Sequence, residues 1–358
     1  MASSPEFDPN SYSAVTDSLL QGEIQADIPG FYEQLKAENA QKPAEEQQTD
    51  AELQEQAAAQ ATAKARETQW RNKAIREPYE PGSTFKALVL AAALEEGVVS
   101  ESDTFYCSGS CRLPGVANPI HCSKRDGHGM QTLAEAVQNS CNPAFIEIGQ
   151  RLGVEKFYDY FEPRHDRENR HRPAGREHRS GLGPGRHDLV WTWRWPPSVS
   201  ASPSPPADDR PGSPLSSTGE TCTSLCVQSI SDTSGAVIQS NESTLIRQVV
   251  SEETSRRCRA ILETVVSEGT GGNAYQAGYR IGGKTGSSET DERGRTIVSF
   301  MGFAPADDPQ VIVLLAYDKP QEASPGSKYG TTGVYISGGN MAAPQAGKLI
   351  AQILDYMG

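Results

Sequence analysis

Ser83 and Lys86 stand three residues apart at the head of an apolar run, a spacing that puts both side chains on one face of a helix. A serine hydroxyl is a poor nucleophile until a base takes its proton. A lysine can be that base once burial and a neighbouring cation lower its pKa. A helix N-terminus at Ser83 would add partial positive charge and free N–H groups beside the hydroxyl. Ser140-Cys141-Asn142 offers a second hydroxyl to relay a proton, and an amide that can steady Lys86 and bind a substrate carbonyl. Lys284-Thr285-Gly286 offers a cation and a hydroxyl for a carboxylate, and the small Gly286 lets an extended substrate lie against a strand edge. Each motif alone also has a plainer reading: an N-cap serine with a solvated lysine, ordinary turn residues, and an edge strand guarded by lysine. The three in this order are far more specific than any one of them, and the chemistry they suit is acyl transfer through a serine ester.

The elements that must position these groups are legible nearby. Tyr79-Glu80-Pro81-Gly82 reads as a turn, and Ser83 to Leu94 becomes apolar nearly all round, which predicts a buried helix. A second helix is expected from about Thr132 through Val137, leading to the turn Asn139 to Pro143. Thr254 to Val266 is amphipathic and helical, and Gly269 to Gly272 reads as a flexible turn. Strands are expected over 283–288, 296–303 and 311–317, the last two joined by Asp307-Asp308-Pro309, and a closing helix from Ala343 to Leu354. Helical blocks and a late antiparallel meander predict an α/β (α+β) domain. Residues 31–70, rich in Ala, Gln and Glu, read as an exposed helix or a partly disordered insertion.

The ordered set Ser-x-x-Lys, Ser-x-Asn and Lys-Thr-Gly is that of penicillin-binding proteins and class A β-lactamases. Tyr79 to Lys86, Asn139 to Phe145, and Gly269-Thr270-Gly271 through Gly282 to Glu289 resemble class B penicillin-binding proteins. Within that class, the cysteine-bearing loop and Ser140-Cys141-Asn142 resemble the sporulation-specific members. The resemblance implies a β-lactamase/transpeptidase-like fold: an antiparallel sheet flanked by helices, with an all-helical subdomain. It implies a catalytic set of Ser83, Lys86, Ser140 and Asn142, with Lys284, Thr285, Gly286 and Ser287 binding substrate. The backbone N–H groups of Ser83 and Ser287 would hold the oxyanion. No metal or cofactor is assigned to the site. Implied partners are peptidoglycan stem peptides, β-lactams, and, in the family, a SEDS-type glycosyltransferase and the membrane. A β-lactamase or β-lactam sensor, and an inactive fragment or scaffold, remain alternatives.

The chain also departs from the family. Met1-Ala2-Ser3 resembles the end of a sheet strand, so the expectation is a truncated chain whose first sheet strand and membrane anchor lie before Met1. Met1 to Asp8 has no basic or apolar region of a signal peptide, although the family is anchored and extracytoplasmic. Residues from about 163 to 226 lack helical or strand periodicity, and they hold four of the six histidines and three of the four tryptophans. Read from the second codon base, Asn169 to Arg176 permits Thr-Gly-Ile-Asp-Leu-Pro-Gly-Glu. Read from the third, Ser198 to Ala201 permits Ser-Phe-Gly-Gln, and Leu215 to Glu220 permits Val-Ile-Asn-Gly-Gly-Asn. All three strings are family-like, so this segment is read as frameshifted, with the frame restored before Ser229. The expected parts are then 1–70, an N-terminal remnant with an acidic insertion; 71–162, a helical part; 163–226, anomalous; and 227–358, the strand meander with its closing helix. Without the family segment that this stretch replaces and without the first strand, the site around Ser83 would lose support, and little or no activity is expected.

Bulk properties narrow the rest. At 358 residues the chain can hold one large or two modest domains, and its net charge of −13, concentrated in the first seventy residues, argues against nucleic-acid binding. Seven cysteines leave one unpaired in any full disulfide pairing. Cys107, Cys111 and Cys122 lie close in sequence with His121 and His128 among them, which leaves three readings: zinc ligands without paired C-x-x-C units, a disulfide within 107–122, or free thiols.

Overall fold

The computed structural model describes residues 9–71, 79–161, 220–222, 229–240, 245–289 and 296–358. These fall into two compact units, one holding the described residues up to Arg71 and the other those from Tyr79 onward.

The first unit is a helical hairpin of α1 (Ser18–Asn39) and α2 (Asp50–Trp70). Both starts are capped. Asp17 accepts from the backbone of Leu19 and Leu20, and Thr49 forms a reciprocal capping box with Glu52. Leu53, Ala57, Ala61 and Ala65 recur every fourth residue on α2 and are all buried, so small side chains form the seam. Hydrogen bonds fix the antiparallel register: Tyr32 to Asp50, Lys64 to Asp27, and the Gln69 amide to Thr16 and Ala14. Of the two readings open for 31–70, the helical one is observed.

In the second unit, α3 (Lys86–Glu95) follows a 3-10 turn at Gly82–Phe85. Next come short strands β1 (Thr104–Cys107), β2 (Ser110–Cys111), β3 (Ile120–His121) and β4 (Gly129–Thr132). β1 pairs with β4 and β2 with β3, both antiparallel. Helices α4 (Leu133–Gln138), α5 (Asn142–Leu152) and α6 (Val154–Phe161) follow. Two further antiparallel pairs join β5 (Glu220–Cys222) to β8 (Leu245–Gln248) and β6 (Ser229–Ser231) to β7 (Val237–Ser240). Then α7 (Glu252–Ser267) leads to the sheet β9 (Gly282–Glu289), β10 (Thr296–Ala304) and β11 (Val311–Asp318), closed by α8 (Ala343–Met357). The strand order is β11-β10-β9, wholly antiparallel, so β9 lies at an edge.

Two apolar cores hold this unit. One gathers α3, α4, α5 and α7 around Leu90, Val137, Phe145, Ile148 and Val265. The other packs Val266 of α7 and Ile350 of α8 on Phe300 and Ala304 of β10. The all-round apolar α3 is buried along most of its length, as its sequence requires. The helices and strands expected over 83–94, 132–137, 254–266, 283–288, 296–303, 311–317 and 343–354 are observed to within about two residues at most ends, an ordinary boundary uncertainty, while the sequence expectation does not include β1 to β8, α5 or α6. The expected strand end at 1–3 lies outside the described residues, as does the anomalous stretch 163–226 apart from Glu220–Cys222.

Candidate active site

Ser83 occupies the 3-10 turn that feeds α3, with its carbonyl accepting from the Lys86 backbone N–H. Gly82 before it has φ +55, the left-handed region, and a Cβ there would stand 2.7 Å from the Ser287 carbonyl oxygen. A residue with a side chain would therefore meet both backbone strain and a clash. The small residue is what lets the Ser83 turn press against β9. The same approach is visible from the other side. A Cβ on Gly286 would lie 2.8 Å from Pro81 O and 2.9 Å from Thr84 Cγ2. The Ser288 hydroxyl donates to Glu80 O at 2.7 Å. Residues two hundred positions apart in the chain thus share one wall.

Lys86, the first residue of α3, is buried and reaches the Ser140–Asn142 turn. Its Nζ donates to Asn142 Oδ1 at 2.6 Å and to Ser140 O at 2.7 Å, and lies 3.3 Å from Ser140 Oγ. Lys284 Nζ, fully buried on β9, donates to that same Ser140 hydroxyl at 2.8 Å and to Thr285 O at 3.0 Å. Burial lowers the Lys86 ammonium to about 8. Burial first, and the Lys86 charge second, hold Lys284 well below its usual value. Ser140 itself has φ +51 in a non-glycine residue, which costs roughly 1–2 kcal/mol and needs surrounding contacts to persist. Part of that support is Asn142, whose Nδ2 donates to His121 O at 2.8 Å.

The structure joins Lys86, Ser140, Asn142 and Lys284 by direct hydrogen bonds and sets the turn that carries Ser83 against Gly286 and Ser287 of β9, with Thr285 beside Lys284 on the same strand. Ser287 is exposed on β9, while Lys284 to Gly286 are buried. One partner was not assigned from sequence. Thr270 Oγ1 lies 3.1 Å from Thr285 Oγ1, and the Thr270 backbone N–H donates to Gln138 O at 3.1 Å. The signal was the glycine pair around it: a Cβ on Gly269 would come within 2.9 Å of Gln138. Cys107, Cys111 and Cys122 are free thiols here, so no disulfide joins them. Cys111 stands apart, its sulfur near Arg112 O, and His121 contributes its backbone carbonyl.

The arrangement has the parts for acyl transfer. A buried amine of depressed pKa can accept a hydroxyl proton, and a second hydroxyl between two amines can pass it on. Among the described strands β9 is an edge strand, a position from which backbone can pair with an extended ligand.

The family model described as "Penicillin binding protein transpeptidase domain" matches residues 1–164 and 213–334. The chain is 37% identical over 306 residues to Stage V sporulation protein D of Bacillus subtilis, covering 80% of this chain and 44% of that protein. It is 28% identical over 297 residues to penicillin-binding protein PbpB of Mycolicibacterium smegmatis, covering 72% of this chain and 41% of that one. The chain thus spans less than half the length of these curated relatives. Among solved structures, the D,D-transpeptidase domain of a peptidoglycan glycosyltransferase from Eggerthella lenta superposes with TM-score 0.61 at 25% identity, covering 84% of this chain and 71% of that one. The penicillin G acyl-enzyme complex of penicillin-binding protein A from M. tuberculosis superposes with TM-score 0.60 at 22% identity, over 83% and 67% of the two chains, a likeness of fold.

Proposed function

The chain belongs to the penicillin-binding protein transpeptidase family, and from that premise we propose that it is a serine D,D-transpeptidase domain that cross-links peptidoglycan stem peptides. Lys86 takes the Ser83 hydroxyl proton as Ser83 Oγ attacks the carbonyl between the two terminal D-Ala residues of a stem peptide. The oxyanion collects between the backbone N–H groups of Ser83 and Ser287. Ser140 hands a proton to the leaving D-Ala amine, and an acyl ester remains on Ser83. An amine of a second stem peptide then attacks that ester, loses its proton to the same relay, and returns Ser83 to its hydroxyl form. Lys284 and Thr285 hold the terminal carboxylate, and Gly286 keeps the edge of β9 clear for the peptide.

The observation that carries this reading is the Ser140 hydroxyl held between Lys86 and Lys284. It supports a proton path that a solvated lysine and a turn serine would have no reason to form. A β-lactam would enter the same site and stop at the acyl ester. The remaining partners follow from the family: a membrane tether, a position outside the cytoplasmic membrane and a SEDS-type glycosyltransferase alongside. No helix among the described residues is long and apolar enough to cross a membrane. The expected loss of support from 163–226 concerns, apart from Glu220–Cys222, residues outside those described. Every bond that joins Lys86, Ser140, Asn142 and Lys284 runs between described residues.

Incubating the purified chain with a fluorescent penicillin tests the proposal. A stable penicilloyl adduct on the Ser83 peptide, absent in Ser83→Ala, is the expected result. Rapid turnover of nitrocefin would point to a β-lactamase instead. No acylation of Ser83 by any β-lactam would refute the reading.

A further inference from the structure

The reading above gives the Thr285 hydroxyl to the ligand carboxylate, yet a hydroxyl can swing about its C–O bond and aim its proton elsewhere. Thr270, in the turn that joins α7 to β9, sets its Oγ1 3.1 Å from Thr285 Oγ1. Thr285 is buried on β9, whereas Thr270 is exposed. A threonine hydroxyl has one proton to donate and lone pairs that accept. Once Thr285 donates to a carboxylate, it can only accept from Thr270, so Thr270 is the donor of that pair. The order is then Thr270 to Thr285 to carboxylate, and each bond polarises the next. Accepting from Thr270 also turns the Thr285 proton away from its neighbour, which leaves it available to the ligand.

The backbone holds Thr270 in place from several sides. Its N–H donates to the carbonyl of Gln138, the last residue of α4, at 3.1 Å. The N–H groups of Gly269 and Gly271 both donate to Val265 O, at 3.2 and 3.0 Å, and so close the end of α7 around it. A Cβ on Gly269 would come within 2.9 Å of Gln138, and one on Gly339 within 2.5 Å of Thr270 O. The turn can sit this close to α4 and to the segment before α8 because both positions lack a side chain. Asn273 Nδ2 fastens the same contact, donating to Gly339 O at 2.9 Å and to Asn340 Oδ1 at 3.1 Å. Gln138 stands two residues before Ser140, so the hold on Thr270 is continuous with the turn that carries the shared hydroxyl. A hydroxyl held this firmly needs little rearrangement when a ligand arrives.

We propose that Thr270 is a positioning residue for carboxylate recognition, its hydroxyl orienting the Thr285 hydroxyl toward the acidic end of the ligand. The inference rests on the transpeptidase reading, in which Thr285 takes that carboxylate. It makes the benefit depend on ligand charge, because a hydrogen bond to an ionised acceptor is about twice as strong as one to a neutral acceptor. A merely structural role for Thr270 would carry no such dependence.

The test compares the full chain with Thr270→Val, Thr285→Val and the double variant, reading the second-order rate constant for Ser83 acylation by penicillin G and by its methyl ester. Thr270→Val is expected to slow penicillin G about tenfold and the neutral ester at most about twofold. In the Thr285→Val background, Thr270→Val should add less than about twofold, since the hydroxyl it would orient is gone. Thr270→Ser keeps the hydroxyl and should stay within about twofold of wild type. Should the valine variant fail to fold, Thr270→Ala removes the same hydroxyl and carries the same expectations. Equal slowing of both penicillins, an unslowed Thr270→Val, or the same loss with and without the Thr285 hydroxyl overturns the proposal. Those outcomes leave the transpeptidase reading standing, because wild type is still acylated on Ser83. A wild type that no β-lactam acylates sinks that reading and this inference with it.

Discussion

Lys284 Nζ and Ser140 Oγ are 2.8 Å apart, and Lys86 Nζ lies 3.3 Å from the same oxygen. The hydroxyl therefore stands between two buried amines. The acceptors these amines find, at Ser140, Asn142 and Thr285, are all neutral oxygens. With no carboxylate among them, burial makes the Lys86 ammonium lose its proton more readily than in water, and burial and then the Lys86 charge do the same for Lys284.

Ser140→Ala removes that shared oxygen. The second-order rate constant for acylation by a fluorescent penicillin is expected to fall about 10²-fold or more, as for loss of a proton relay. Thermal unfolding should show a loss of about 1–3 kcal/mol, because Lys284 stays buried with one acceptor fewer. An unchanged acylation rate would remove Ser140 from the proton path.

The pH dependence follows from Lys86. Only its free amine can take the Ser83 proton, so acylation should climb with pH and level off above about 8. Stability carries the same sign. The folded-state pKa lies below the ordinary 10.5, so between about 8 and 10.5 the unfolded chain binds the extra proton. This group's contribution to stability therefore rises with pH across that window. Stopped-flow acylation from pH 6 to about 10 checks the limb, and Lys86→Arg, which stays protonated, should erase it along with the activity.

Gly82→Ala places a methyl group at φ +55 and 2.7 Å from Ser287 O. The expected cost is roughly 1–3 kcal/mol of stability. Acylation should fall by more than that destabilisation explains, because the turn must back away from β9. Comparing thermal midpoints with acylation rates separates the two effects, and equal losses would mean that only folding was touched.

Thr49→Ala dissolves the capping box at the start of α2. Circular dichroism is expected to report about 1 kcal/mol less stability in the helical hairpin. The β-lactam acylation rate should stay the same, since the acylating machinery is confined to the other unit.

Much of the site was legible because its parts are local. Lys284-Thr285-Gly286 sits in a strand bounded by glycines, and Ser83-x-x-Lys86 opens a helix apolar on every side, patterns that survive in one dimension. Asp307-Asp308-Pro309 marked the hairpin between β10 and β11 for the same reason. Other features escaped. The α2 seam is built of Ala57, Ala61 and Ala65, whose small side chains hid a buried stripe within a composition that looked solvated. Thr270 meets Thr285 only after α7 turns back on the sheet. Cys141 joins Cys107 and His128 only once the turn before α5 packs on β1 and β4. Pairings of this kind are set by tertiary packing, and no periodicity in the chain announces them.

Val265 and Val266, neighbours on α7, belong to different cores: the first packs among α3, α4 and α5, the second against the β10 sheet and α8. Lys86 and Ser140 are mounted on the first core and Lys284 on the second sheet. Denaturant should therefore dismantle the proposed catalytic groups in a single cooperative step. A partly unfolded intermediate keeping the lysine–serine pair of one side would have to split a helix lengthwise.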